Sequence, residues 1–336
     1  MYNKNVINKE RISWVDIARA VGIIFVIYAH VLGSHDFRYL FYAFHIPFFF
    51  FLSGIFFKDY GSFRIFLKKS SRGLLVPYFI IAFISYFLWI IGTANLSSWE
   101  AVRQFLSIFY ANSNDNLMLF NDVLWFLPTL FITRLCFFFI FKYFKKTEFL
   151  GGVLLSFSIF GYLFSIFAPW VKLPFGTETA FSAIVFYGAG YLWYKSQKAK
   201  GFIFNNKKII FPVFLFFMII FSTIDFTVAG HQIDMRLNHL NNYFLFYMDA
   251  FLGIFSWIGF SMILNKNRIL EVLGKNSLIL FAWHPVVFNY LRIIQGLIPT
   301  LENIRALIPA LYTLISISVI MFLNSFVKEI RLKTGV

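Results

Sequence analysis

The chain has 336 residues, of which 60% are hydrophobic and 13% charged, with 50 Phe and a mean hydropathy of +0.73. A soluble domain carries about a quarter charged residues, so this composition excludes an ordinary water-soluble globule and leaves a polytopic membrane protein. The net charge of +15 does not point to nucleic acid, because the basic residues sit in short loops between apolar runs, where they report topology. The single Cys136 lies within an apolar run, so no intrachain disulfide and no cysteine zinc framework is encoded.

A helix needs about 20 apolar residues to cross the hydrocarbon. Ten runs qualify, at 14–33, 40–57, 74–92, 122–141, 149–169, 178–194, 209–229, 243–264, 276–297 and 308–327. They predict an all-α, polytopic membrane bundle in one domain, 1–336, without an extramembrane domain. Asp16 and Arg19 interrupt the first run and no small-residue cleavage site follows it, so it is read as a span rather than a signal peptide. Between the third and fourth runs, loop 93–121 holds an amphipathic stretch from Trp99 to Tyr110 and a polar run from Asn112 to Asn116. That loop is expected to lie on the membrane surface and cover a site. Twenty-two of the 30 Lys and Arg fall on one side of the ten spans. Five lie on the other side (Arg38, Arg103, Lys172, Arg236 and Arg305), and Arg19, Arg134 and Arg292 lie inside spans. Cytoplasmic loops carry the basic excess, which places both termini in the cytoplasm and requires an even number of spans.

Charge at the bilayer centre costs about 2.5–3.5 kcal/mol on insertion scales, so an ionisable residue inside a span is a functional candidate. The first span has three. Asp16 and Arg19 are i and i+3, hence neighbours on one helix face and an expected ion pair. Arg19 and His30 are eleven apart, which returns to the same face at a separation of about 16 Å, so one polar stripe runs along this helix. His45 opens the second span and enters from the side on which the first span ends. Two imidazoles at one depth can act as a base and its partner or as a proton relay. His284 precedes Pro285 in the ninth span; the proline frees a carbonyl one turn back, which an imidazole can satisfy. His35, His231 and His239 fall in outer loops and are expected to be solvated. The six His lack helical zinc spacing and clustered carboxylates, so no metal is assigned. Asp225 and Asp249 are expected to pair with an intramembrane Arg134 or Arg292. No GxSxG elbow, P-loop or dinucleotide fingerprint occurs.

Asp16-x-x-Arg19 with His30 eleven residues beyond the Arg resembles the opening of the acyltransferase-3 family of membrane acyltransferases. Further segments match in order: Phe44-His45-Ile46-Pro47 through Ser53-Gly54, Arg72 through Pro77-Tyr78, Leu124-Trp125-Phe126-Leu127-Pro128, Leu173-Pro174-Phe175 with Phe186-Tyr187-Gly188, and Leu273-Gly274-Lys275-Asn276-Ser277 through His284-Pro285. The resemblance spans almost the whole chain. Its His-hydrophobic-Pro segment is similar to the fucose 4-O-acetyltransferase-like branch, which modifies capsule, O-antigen or exopolysaccharide sugars. It implies no permanently bound cofactor, a cytoplasmic acyl-CoA donor such as acetyl-CoA, a carbohydrate acceptor, and residence in a bacterial-type cytoplasmic membrane with lipids as neighbours. Nothing in the sequence sets an oligomeric state.

On that reading Arg19, Arg72, Lys68 and Lys69 contact the anionic donor. Asp16 orients Arg19, and His30 is the catalytic base or the transient acyl acceptor, two roles that the sequence does not separate. His45 is a second catalytic candidate, and Trp125, Glu178, Tyr187 and His284 are candidates for positioning the acceptor. The rival class is a transporter exporting a saccharide or a small acid. Against it, the chain shows neither an inverted repeat nor matching Gly/Pro-broken spans. A glycan polymerase would need a more highly charged outer loop than 93–121.

Overall fold

The computed structural model describes residues 12–32, 37–93, 96–114, 116–144, 146–297 and 308–334. Lys4, Lys9, Arg11, His35, Asp115, Lys145 and Arg305 lie outside the described residues, as do the side chains of Arg292, Lys328, Arg331 and Lys333.

Each of the ten apolar runs falls on a helix. The first is α1 (Ser13–Leu32), and the second is broken into α2 (Arg38–Tyr42) and α3 (His45–Ile55). The third starts earlier than its hydropathy suggests: α4 (Phe63–Ser70) passes through a π-helical turn, Ser71–Leu75, into α5 (Val76–Gly92). The amphipathic stretch of the long loop is α6 (Ser98–Tyr110). A 3₁₀ turn at Asp122–Trp125 leads into α7 (Phe126–Tyr143), followed by α8 (Thr147–Phe167), α9 (Thr177–Lys195), α10 (Gln197–Ala229) and α11 (Tyr243–Leu264). The sequence reading did not anticipate α12 (Arg268–Lys275), a short amphipathic helix placed before α13 (Ser277–Leu297) and α14 (Ile308–Thr334).

Among the described residues, seven stretches are both long and apolar enough to cross a membrane. α9, α13 and α14 cover the other three expected runs. α9 is less apolar for a physical reason: it is packed between α3, α7 and α8 and buries Glu178, Thr179 and Ser182 along with its apolar residues. A helix enclosed by protein needs small residues for close approach more than it needs lipid-soluble ones. Lipid-facing helices show the opposite pattern, with Ile80, Ile84, Phe87 and Ile91 of α5 and Phe216 and Phe217 of α10 exposed.

α1 occupies the interior, in contact with α3, α11, α12, α13 and α14, and Val15, Ile17, Ala18, Ile23, Val26 and Ile27 are buried along it. Its N-terminal end is clamped by α12. A Cβ on Gly274 would lie 1.7 Å from the Asp16 carbonyl oxygen, so the two backbones touch, and the Ser13 hydroxyl donates to Glu271 Oε1 at 2.5 Å. The crossing of α3 and α9 works the same way, because a Cβ on Gly54 would meet the Tyr187 carbonyl oxygen at 1.8 Å. A methyl group there must push two helices apart, and overpacking of this kind costs about 1–3 kcal/mol. Gly54→Ala is therefore expected to lower the thermal midpoint of the detergent-solubilised protein, measured by intrinsic-fluorescence melting, whereas Gly73→Ala, with open space around its Cβ position, is expected to leave it unchanged.

Candidate functional site

The Asp16–Arg19 pair expected from the i, i+3 spacing is present, with Arg19 Nη1 3.4 Å from Asp16 Oδ1. Asp16 is buried, while the Arg19 side chain keeps 31% of its surface exposed and lies over the Phe56 ring at 4.9 Å. Arg19 lines a cavity of about 290 Å³ at the N-terminal end of α1, with Ser53, Lys275, Ser277, Phe126 and Phe281 among its walls. Two cations, two hydroxyl groups and the first turn of α13 thus border one apolar-walled space, a combination suited to a ligand with an anionic end. Arg72, Lys68 and Lys69, expected to contact the same anion, do not line this cavity. All three are exposed, and Lys69 lies over the Tyr60 ring at 3.9 Å. Lys275 takes their place, ion-paired to Glu271 at 3.8 Å.

His30 lines a second cavity, about 470 Å³, at the C-terminal end of α1. Asn114, Asn121, Asp122, Arg236 and Asn289 supply its polar surface. The imidazole beside His30 is His284, with ring centroids 5.1 Å apart at 64°. His284 is fully buried, and its Nδ1 is 2.7 Å from the Phe281 carbonyl, so Nδ1 carries a proton. This is the carbonyl satisfaction expected beside Pro285. It leaves Nε2 of His284 buried without a hydrogen-bond partner among the described residues.

His45 is one step further away. Its ring lies 4.9 Å from Tyr42, whose ring lies 6.4 Å from His30, and its Nδ1 meets the Phe41 carbonyl at 2.6 Å. Tyr42 therefore stands between the two imidazoles that the sequence set at one depth, its hydroxyl bonded to the Arg38 guanidinium.

The two cavities are separated by rings. Phe126 and Phe281, which wall the space at Arg19, have centroids 5.5 Å apart; Phe281 is 6.2 Å from His284, and His284 touches His30. An aromatic partition about two side chains thick divides a cation-bearing cavity from an imidazole-bearing one, both on the single polar face of α1.

The loop following α6 covers the His30 cavity and is built to be rigid. Ala111, Asn116 and Met118 all have positive φ (57°, 59° and 55°), a backbone state costing about 1–3 kcal/mol each outside glycine. Side chains hold them there. Gln104 Nε2 donates to the Asn116 carbonyl at 2.7 Å, Gln104 Oε1 accepts from Leu119 N at 2.9 Å, and Ser107 Oγ accepts from Met118 N at 3.2 Å. The loop is also tied to residues 230–242, since Asn114 Nδ2 donates to the Arg236 carbonyl at 3.1 Å and Arg236 Nη1 donates to the Ser113 carbonyl at 3.2 Å.

Glu178 belongs to this scaffold and does not line the cavity. Wholly buried, it accepts from Asn112 Nδ2 at 2.7 Å and from Leu173 N at 3.0 Å. Tyr187 is also remote, buried among Phe57 and Phe137, and Trp125 is buried against Phe126 at the start of α7 without lining either cavity. Arg134 lies over the Phe66 ring at 5.7 Å and does not pair with the intramembrane carboxylates. Asp225 instead accepts from Asn241 Nδ2 at 2.8 Å, and both Asp249 oxygens lack a hydrogen-bond partner among the described residues. His231 and His239 are exposed, as their loop position implies.

Asp122, Asn114, Arg236, Asn289 and Lys275 are the site residues that sequence reasoning missed. Arg236 and Lys275 were visible as loop cations, but a loop cation by itself reports topology. The approach of Asn114, Asn116 and Asn121 to one cavity depends on left-handed turns that polar composition alone does not specify.

Removing the Glu178 carboxylate takes the acceptor from Leu173 N and one of the two acceptors of Asn112 Nδ2, which keeps the Leu173 carbonyl at 2.9 Å, a loss of about 1–3 kcal/mol. In Glu178→Ala, amide hydrogen exchange across 112–121 is expected to accelerate about tenfold or more, with exchange in α11 unchanged.

A model of an acyltransferase domain family matches residues 12–326. No curated protein and no solved structure gives a significant match.

Proposed function

This chain belongs to the acyltransferase-3 family and is an integral membrane acyltransferase; from that premise we propose that it moves an acetyl or related acyl group from acyl-CoA to a hydroxyl of a cell-surface saccharide or its lipid-linked precursor. The observation that carries this reading is the pair of chemically different cavities on one face of α1, separated by the rings of Phe281 and His284, the latter against His30. The basic excess on one side supports ten spans with both termini in the cytoplasm of a bacterial-type cell, so that the Arg19 cavity receives the donor and the His30 cavity the acceptor.

Arg19 and Lys275 hold the anionic part of the donor by charge-assisted bonds, Asp16 fixes the Arg19 fork, and the thioester arm spans the roughly 16 Å of helix that separates Arg19 from His30. Passing the partition requires Phe281 to swing aside. Once the thioester carbonyl reaches His30, the imidazole takes the proton of the acceptor hydroxyl as its oxygen attacks. The C–O bond forms, the C–S bond breaks, and the proton goes to the sulfur, so that CoA leaves as the thiol. Acyl transfer through His30 itself divides the same exchange into two steps with the same balance. His284 orients His30 from the side away from the cavity and offers Nε2 as a second proton-accepting atom. Arg236 and Asn289 donate to the acceptor or to the developing oxyanion. Neither Glu178 nor Tyr187 is needed at the reacting atoms.

Mass spectrometry of the host's surface glycan, with and without the gene, tests the activity: loss of one acyl mass per repeat unit is expected. Unmodified glycan in both strains with a changed surface amount would favour export instead. With purified protein, His30→Ala is expected to lower transfer about 10²–10⁴-fold, the range of a lost general base, with the melting curve unchanged; retained activity would remove His30 from the mechanism. Arg19→Lys keeps the charge but loses the planar fork, and is expected to raise the donor KM about tenfold with a smaller change in kcat. Acetyl-CoA at a hundred times its Kd is expected to stabilise the wild type by about 2.7 kcal/mol, which a saccharide exporter would not show.

A further inference from the structure

Asn121 joins α5 to α13. Its Nδ2 donates to Ser85 Oγ at 3.1 Å and to the Ala282 carbonyl at 2.9 Å. Beyond that bridge a cavity of about 310 Å³ lies between the two helices, walled by Leu88, Trp89 and Gly92 of α5 and by Val286 and Tyr290 of α13. Phe120 and Asn289 line both this slot and the His30 cavity, so the two spaces adjoin and those two side chains form the wall they share. The slot also opens sideways. Gly92 is exposed, with no atom within 4 Å of a Cβ position, Tyr290 is 50% exposed, and the neighbouring Phe87 and Ile91 of α5 are 58% and 83% exposed. An apolar surface of that kind on two membrane-embedded helices faces hydrocarbon.

The two compartments have opposite chemistry. The His30 cavity is polar, with asparagine amides, Asp122 and Arg236 at its walls, and the slot, apart from Ser85, Thr93 and Asn289, is bordered by aliphatic and aromatic surface. A ligand that fills both is an amphiphile. The route from the end of the bundle is narrowed by the 111–121 and 230–242 loops, which are bonded to each other through Asn114, Ser113 and Arg236, whereas the slot leads straight into the lipid. Building on the acyltransferase reading above, we propose that the α5–α13 slot is the lateral entry and chain-binding site for a lipid-anchored saccharide acceptor. Its hydrocarbon chain lies between Trp89 and Val286, and its sugar passes Phe120 and Asn289 to reach His30.

The test is photolabelling of the purified protein in phosphatidylcholine nanodiscs, with no acyl-CoA present. One probe is a hexadecyl glycoside carrying a diazirine in its chain; the other is a diazirine phosphatidylcholine that reports bulk lipid. The glycoside is expected to label residues 88–92 and 286–290 about tenfold above the bulk-lipid probe, and the excess is expected to vanish in Gly92→Trp, which fills open space, and independently in Val286→Trp. Equal labelling by the two probes over these residues overturns the proposal, as does an excess that survives both substitutions. Labelling is read without donor, so the slot stands or falls apart from acyl transfer. Transfer is measured on the same preparations with the hexadecyl glycoside and its methyl counterpart. Equal transfer to both glycosides, unaffected by Gly92→Trp, contradicts the slot while upholding the acyltransferase reading.

Discussion

A helix that carries Asp16, Arg19 and His30 into a hydrocarbon-embedded bundle has to be enclosed by protein, and most of the architecture follows from enclosing it. Lipid offers none of these groups a partner, and each unsatisfied polar group there costs several kcal/mol. α1 therefore sits in contact with α3, α11, α12, α13 and α14, its acid neutralised by its own arginine at 3.4 Å. The close backbone contact of Gly274 with Asp16 brings α12 across the start of α1 and so carries Lys275 to the Arg19 cavity. The same enclosure brings α13 alongside, and with it His284. Both cavities are thus consequences of covering one polar face.

That face makes the division of labour between the two ends physical. Arg19, Lys275 and a helix start gather at one end; His30, amides, Asp122 and Arg236 gather at the other. The rings of Phe126, Phe281 and His284 stand between. A rotamer change opens such a partition, whereas exchange of whole solutes between the two sides, as a transporter needs, calls for rigid movement of helix halves. The loop over the His30 cavity also resists movement, because three left-handed residues are held by Gln104, Ser107, Asn112 and Asn114. On the proposed reading, the two cavities form a fixed reaction chamber entered from two directions.

The spans were legible in the sequence because hydropathy over about 20 residues integrates many side chains, and α1's stripe was legible because a period of 3.6 fixes which residues share a face. Arg19 and His30 could be joined on paper for that reason. What the sequence did not carry was which residues of different helices meet. His45 was within reach of His30 by depth and His284 was read only as a partner for a carbonyl beside Pro285 or for the acceptor; helix packing sets Tyr42 in front of His45 and the ring of His284 against His30. Arg72 and the lysines of α4 read as anion contacts from charge and position, yet their helix turns them outward, while Lys275 is turned in by the glycine beside it. Glu178 looked like a site carboxylate because it is an acid at the start of an apolar span; its partners, Asn112 and Leu173 N, are loop atoms that no periodicity reveals. α12 was missed because eight residues with alternating charge look like a loop until α1 gives their apolar face something to cover.

The central claim is that donor and acceptor approach His30 from opposite sides of the membrane. Proteoliposomes with sided protein test it most directly, with radiolabelled acetyl-CoA confined to the compartment that the N-terminus faces and the glycoside acceptor supplied only on the other. The account predicts acylated acceptor in this arrangement and its loss in His30→Ala. Product that forms only when donor and acceptor share a compartment would contradict it.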